Sequence, residues 1–348
     1  MKAPALNNDK IICNDIFNDN VDDLPEYITT IFFGREFNKS VDRLPKSLLK
    51  LKFGFMFNHS LDNLPDGLIE LDLSDSFNFE QPINNLPNSL KYLHLNQTFN
   101  GSIDNLPENL EFLSFGNSVL FNHPIDSLPK NLKILFLGPT FDQPIDKLPS
   151  QLVFLELGHN FNHPIESLPD SLEILKLGHN FNNPINNLPC GLKSLKIGCN
   201  FNFPLDLLPD SLEVLNLGNN FNHPIDNLPC GLKSLKIGKN FNYSLDLLPN
   251  SLNTLIFERL SIFNQTINNL PSNIKRLCLG NQFNQSIDSL PDSIVFLSLG
   301  WNFEQPILKL PKNLKTLVLT RVPTGTLNFK SLIELKSLFP SVEIRVKD

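Results

Sequence analysis

Residues 171–190 read Ser171-Leu-Glu-Ile-Leu-Lys-Leu-Gly-His-Asn-Phe-Asn-Asn-Pro-Ile-Asn-Asn-Leu-Pro-Cys190. Leu175 and Leu177 alternate with Ile174, Lys176 and Gly178, the period of a β-strand with one buried face. Asn180 and Phe181 then turn the chain inward, and the Asn amide can satisfy backbone groups in that turn. Pro184, Ile185, Leu188 and Pro189 carry the chain back in extended or 3₁₀ form, because twenty residues leave no room for an α-helix behind the strand.

The unit recurs along the chain. Leu-Pro occurs fifteen times between Pro25 and Pro311, eleven of the fourteen intervals being 20 residues and three being 22. Leu172, Leu175, Leu177 and Asn180 stand at the positions of the leucine-rich-repeat pattern L-x-x-L-x-L-x-x-N, with Phe181 in the apolar place after Asn. Composition agrees. Among 348 residues there are 27 Pro and only two Ala (Ala3 and Ala5), against long helices, and 41% apolar residues, against disorder. The expected fold belongs to the α/β-solenoid class but is mostly β. It is a leucine-rich-repeat-like solenoid of about 16 coils, with a parallel β-sheet on the concave face, an extended or 3₁₀ back, and a short C-terminal capping helix and strand. At ~4.8 Å per strand step its body would be roughly 75 Å long.

The motif Phe-Asn-x-Pro-Ile ahead of Leu-Pro, as in Phe121-Asn122-x-Pro124-Ile125, Phe161-Asn162-x-Pro164-Ile165 and Phe221-Asn222-x-Pro224-Ile225, resembles the FNIP repeat family, a short branch of leucine-rich repeats. The resemblance covers about residues 11–320. Departures include Asp142, Glu80 and Glu304 at the Asn and Ser40, Ser60, Ser102, Ser244, Thr266 and Ser286 at the Pro. The resemblance implies an origin among amoebae or large DNA viruses, and a substrate-recognition role in a ubiquitin-ligase assembly. Since about ten residues precede the first coil, the adaptor module would come from another chain.

The expected organisation is an N-terminal cap and degenerate first coil over 1–23, the repeat solenoid over 24–320, and a C-terminal cap over 321–348. In the first coil Ile11 and Cys13 take inward positions. In the last segment Asn328 caps a helix over Phe329–Leu338, with Leu332, Leu335 and Leu338 on one stripe, followed by a strand over Ser341–Val346.

Charge and cysteines bound the setting. A net charge of −7 argues against non-specific nucleic-acid binding. No run of 18 apolar residues suggests a membrane span, and residues 1–10 lack the apolar core of a secretory signal. The five cysteines (Cys13, Cys190, Cys199, Cys230 and Cys278) are odd in number and lack a CxxC, so they read as free thiols in a cytoplasmic protein. Most of the seven Asn-x-Ser/Thr sites recur at one repeat position, where a glycan would collide with neighbouring coils.

No nucleotide loop, zinc-protease helix or nucleophile elbow is present, so no enzyme activity and no cofactor are expected. The glycines spaced 20 apart (Gly158, Gly178, Gly198, Gly218, Gly238) read as residues tolerating unusual backbone angles at the strand end. His159, His179 and Cys199 share one repeat position and would stack, but with no orienting carboxylate they read as a solvated row, not a metal site. The row of Asn after each Phe reads as turn structure, and the Phe row as core.

Outward strand positions are the ones that the fold does not dictate. There the chain gathers Tyr92, Phe112, Ile134, Phe154 and Ile174, with Phe136 beside them, an apolar patch of the kind that marks interaction sites. Lys176, Lys196 and Lys236 follow in the next row. The expected function is therefore a non-catalytic scaffold binding a protein partner with an apolar anchor and an acidic flank. The same patch could instead join copies of the chain, as a structural repeat protein without a specific ligand. Three two-residue insertions, near Ser74–Asn78, Asn117–Leu120 and Glu258–Ile262, bring Val119, Leu120, Leu260 and Ile262, which read as either core plugs or apolar rims.

Overall fold

The computed structural model describes residues 5–320 and 332–346. The chain divides into two compact units, Met1–Gly178 and His179–Asp348.

The first unit holds β1 (Ala5–Asn7), β2 (Lys10–Ile12), β3 (Thr30–Phe32), β4 (Lys50–Lys52), β5 (Glu70–Asp72), β6 (Tyr92–His94), β7 (Phe112–Ser114), β8 (Ile134–Phe136), β9 (Phe154–Glu156) and β10 (Ile174–Lys176). From β2 to β10 the strands pair in parallel, each with the next, in one unbroken register: Ile11 with Ile31, Ile31 with Leu51, and so on to Leu155 with Leu175. β1 is an addition that the repeat does not announce. It pairs antiparallel with β2 through a two-residue turn, Asn8–Asp9, in which Asn8 takes φ 54°. Asn tolerates that left-handed conformation better than most side chains.

The second unit holds β11 (Ser194–Lys196), β12 (Val214–Asn216), β13 (Ser234–Ile237), β14 (Thr254–Phe257), β15 (Arg276–Cys278), β16 (Phe296–Leu299), β17 (Thr316–Leu319), α1 (Leu332–Leu338) and β18 (Glu343–Val346). Its eight strands are parallel and in register, ending with Leu317 beside Ile344. The expected cap helix and last strand are thus present, although Asn328 and Phe329 lie outside the described residues. Leu335 is buried, but Leu338 is 59% exposed and does not complete the apolar stripe. The helix ends there and turns into β18.

Each full coil packs five or more apolar side chains inward; in residues 151–170 these include Leu152, Leu155, Leu157, Phe161 and Ile165, all under 5% exposed. The phenylalanine rings stack face to face from coil to coil. In the first unit Phe17, Phe37, Phe57 and Phe79 lie 6.0–6.1 Å apart, and Phe99, Phe121, Phe141 and Phe161 lie 6.2–6.3 Å apart. In the second unit the rings from Phe181 to Phe303 repeat at 6.1–6.3 Å.

The return is built from hydrogen-bonded turns, and the described residues contain no 3₁₀ helix. After each Leu-Pro the proline carbonyl accepts the N–H three residues on, as Pro169 does from Leu172 at 3.0 Å and Pro209 from Leu212 at 3.1 Å. That turn aims the chain into the next strand.

Two rows have different physical jobs from those expected of them. A Cβ built at Gly158 would fall on the Gly138 carbonyl, and one at Gly238 on the Gly218 carbonyl, while neither glycine has a positive φ. The row is glycine because consecutive coils touch there, not because the backbone is twisted. The asparagine that precedes the phenylalanine bonds amide to amide across the coils, from Asn200 to Asn180 at 3.1 Å, Asn220 to Asn200 at 3.2 Å and Asn240 to Asn220 at 3.1 Å. In the coil where threonine takes this position, Thr98 Oγ1 instead donates to the Phe77 carbonyl at 2.7 Å; at the glycine position of the same coil the buried Asn96 amide donates to the Phe79 carbonyl at 3.3 Å.

The asparagine after the phenylalanine is the backbone satisfier. Asn18 Oδ1 accepts the N–H of Asn38 at 2.9 Å, Asn122 that of Asp142 at 2.8 Å, Asn202 that of Asn222 at 2.9 Å and Asn264 that of Asn284 at 2.8 Å. Asp142 does the same for Asn162 at 3.0 Å, so an oxygen at this distance is what the position requires. Asn202→Ala is therefore expected to cost about 1 kcal/mol, and Asn202→Asp clearly less, in urea denaturation.

Candidate interaction surface

The outward positions of β6 to β10 project one aromatic cluster from the first unit. The Phe112 ring lies 6.3 Å from Tyr92, 4.6 Å from His94 and 5.7 Å from Phe136, and Phe136 lies 4.6 Å from Phe154. All four contacts are tilted, the geometry that aromatic quadrupoles favour over a sandwich. Ile134 and Ile174 flank the rings through in-register pairing with Phe112 and Phe154. Tyr92 is 42% exposed and the other five are half-buried. Cross-strand packing therefore covers part of each ring and leaves the rest as accessible apolar surface.

The surround of the cluster is charged but internally neutralised. Along the position just before the cluster, Glu111 takes Lys91 at 3.0 Å and Lys133 at 2.7 Å. Hydrogen bonds from Lys133 and Lys91 hold the Glu111 carboxyl below its ordinary value. Those three residues line a groove of about 520 Å³ with Ile69, Asn109 and Asn131. Lys176 pairs with Glu156 at 2.9 Å and lies 5.0 Å over the Phe154 ring.

Of the sequence-expected residues, the structure thus brings together Tyr92, Phe112, Ile134, Phe136, Phe154, Ile174 and Lys176. Lys196 and Lys236 belong to the second unit, on β11 and β13, with Asn216 of β12 in register between them. The three lysines of the row differ in their pairing. Lys176 is paired with a carboxylate, and Lys236 is likewise held by Glu258 at 2.6 Å, whereas Lys196 is exposed. Opposite charges stand one coil apart because aligned coils place residues 20–22 apart side by side.

His94 and the Lys91–Glu111–Lys133 ladder were not picked out from the sequence. Their signal is the alternation of charge at one repeat position, visible when the coils are aligned. The insertions resolve in favour of rims, since Val119, Leu120, Leu260 and Ile262 are 43–63% exposed. What they bury instead is a serine in each: Ser76, Ser118 and Ser261 are fully buried. Ser118 Oγ donates to the Phe99 carbonyl at 3.2 Å, and Ser261 Oγ accepts the Phe263 N–H at 3.2 Å. At the His159/His179/Cys199 position, Cys199 is half-buried with Asn219 Nδ2 3.9 Å from its Sγ. Among the described residues no group of three or more His, Cys, Asp or Glu is arranged to hold a metal ion, and no helix is long and apolar enough to cross a membrane.

Short parallel strands in register, a stacked phenylalanine column and turn-built returns define a leucine-rich-repeat-type β-solenoid. The model of the FNIP repeat matches residues 17–55, 79–118, 121–160, 161–200, 184–220, 221–259 and 263–302, and the chain belongs to the FNIP repeat family. Among solved structures it is similar to CroV588, a novel circular LRR protein, at 37% identity with a TM-score of 0.78 over 93% of this chain and 50% of that one. The chain thus spans about half the length of that relative. The functional domain of InlJ from Listeria monocytogenes is similar at 13% identity and a TM-score of 0.61, over 84% of this chain and 69% of that one. InlF from the same organism is similar at 18% identity and a TM-score of 0.50, over 90% and 84%. At such identities these two show the fold alone. No curated protein matches the chain.

Proposed function

We propose that this chain is a non-catalytic scaffold that binds a protein partner through the outward face of β6 to β10. The observation that carries the reading is the half-exposed aromatic cluster, Tyr92, Phe112, Phe136 and Phe154, with Ile134 and Ile174 at its flanks. Aromatic residues ringed by polar groups are enriched at the centres of interfaces. Because Lys176, Lys91 and Lys133 already have carboxylate partners, the surface calls for a partner with an apolar anchor and a mixed polar flank. The reading places the scaffold in the cytoplasm, supported by five free cysteines of which Cys190 and Cys230 are exposed. A substrate-recognition role in a ubiquitin-ligase assembly would be one instance of it.

The test is a Phe112→Glu/Phe154→Glu variant. Both side chains stand half-buried on the outward strand face and outside the core, so circular dichroism should keep the wild-type fold. A partner recovered by affinity purification and then prepared pure should bind wild type and lose about thirtyfold or more with the variant, as expected for interface-centre aromatics. A wild type that self-associates in light scattering, and a variant that does not, would make the partner a second copy. Equal binding of the pure partner to both proteins would defeat the proposal and reduce the cluster to strand packing.

A further inference from the structure

The second unit carries a rim along the turn that follows each strand. Backbone hydrogen bonds tie it together coil by coil: the Ile262 N–H donates to the Lys239 carbonyl at 2.8 Å, that of Asn281 to Arg259 at 2.8 Å, and that of Asn302 to Asn281 at 2.9 Å. Lys239, Arg259, Asn281 and Trp301 therefore hold one position in four consecutive coils, each about 5 Å from the next. Lys239 and Arg259 are exposed, and Trp301 is 46% exposed. The two-residue insertion in the Arg259 coil adds Leu260 and Ile262, also exposed.

Charge distinguishes this rim. On the strand face, lysines are matched by a carboxylate one coil away, as in Lys50–Glu70 at 2.7 Å and Lys233–Glu213 at 2.8 Å. Among the described residues Lys239 and Arg259 form no ion pair. Their neighbour Glu258 is held by Lys236 at 2.6 Å. From residue 179 to residue 301 the rim position of this unit holds no carboxylate at all. In a chain of net charge −7, two uncompensated cations beside three exposed apolar side chains complement an anionic ligand that also offers something apolar.

We propose that this rim binds an acidic peptide segment of a partner protein. Its carboxylates meet Lys239 and Arg259, the guanidinium giving the bidentate geometry that a carboxylate prefers. An aliphatic or aromatic side chain of the same segment lies against Leu260, Ile262 and Trp301. Two cations are too few for the phosphate track that sets nucleic-acid affinity. The surface belongs to the second unit, so it stands or falls independently of the aromatic cluster of the first.

The probe is a fluorescein-labelled peptide, Asp-Asp-Glu-Asp-Leu-Phe-Glu-Asp-Asp-Glu, titrated with the whole chain at low salt. Anisotropy should saturate below about 100 µM and weaken as salt is raised, and emission of the sole tryptophan, Trp301, should change in parallel. Lys239→Gln/Arg259→Gln and, separately, Leu260→Ser/Ile262→Ser should each weaken binding by about tenfold or more. Phe112→Glu/Phe154→Glu should bind the peptide as wild type does. The proposal is overturned by an absence of saturation up to about 1 mM, by unchanged affinity in the Gln variant, or by a twelve-residue oligothymidylate binding as tightly as the peptide.

Discussion

Replacing Phe201 by alanine is expected to lower the stability of the second unit by about 3–5 kcal/mol, the range for removing a fully buried aromatic ring. Phe201 is fully buried and stacked between Phe181 at 6.2 Å and Phe221 at 6.3 Å. Two features put it at the upper end. The ring has one like it on either side, so its loss opens a gap in a continuous column, and rigid parallel coils cannot close over that gap. Solenoids are stabilised by repeat-to-repeat interfaces, so a defect in mid-column weakens two of them at once. Urea denaturation followed by far-ultraviolet circular dichroism should show the midpoint falling or a separate early transition appearing. Phe201→Leu, which keeps much of the volume, should recover at least about half of the loss. A change under about 1 kcal/mol for alanine would mean that the column is not the core.

Gly158→Ala is the second large effect. The added methyl would lie far inside contact distance of the carbonyl oxygen of Gly138 in the preceding coil. That neighbour is backbone, fixed by the strand pairing of β8 with β9, so the coils must separate to admit it. The expected cost is about 3 kcal/mol or more, the top of the range for overpacking. Gly67→Ala is the control. There a Cβ would meet the Lys46 carbonyl oxygen at 3.5 Å, an ordinary contact, and the variant should lie within about 1 kcal/mol of wild type. If both variants melt alike, close coil contact is not what keeps that row glycine.

The glycine row also shows where reading a sequence stops. Its 20-residue spacing placed it correctly at the end of each strand, but the reason given by residue type, conformational freedom, was the wrong one. Gly158, Gly218 and Gly238 have no positive φ, and they are small because another coil's carbonyl sits against them; only Gly116, in a coil with an insertion, takes φ 52°. A contact with a residue 20 positions away leaves no local mark. The asparagines behave the same way. Their side chains suit turns, yet those after the phenylalanine accept an N–H from the next coil, and those before it in the second unit bond to one another.

The candidate surface divides along the same line. That Tyr92, Phe112, Ile134, Phe154 and Ile174 share an outward row follows from alternation along each strand and the constant repeat length, both written in the chain. That Lys176 and Lys236 are already paired, that His94 packs on Phe112, and that Lys239 and Arg259 are left without carboxylates, depended on the coil-to-coil register and on which side chains reach across it. The sequence by itself determined the coil, its strand, its buried leucines and phenylalanines, and the family, because all of these repeat with a fixed period. The tertiary structure decided the buried serines of the insertions, the antiparallel β1, the reason for the glycines and the balance of charge on each face. Those depend on distances of a few ångströms between residues 20 or more apart, which periodicity can align but cannot measure.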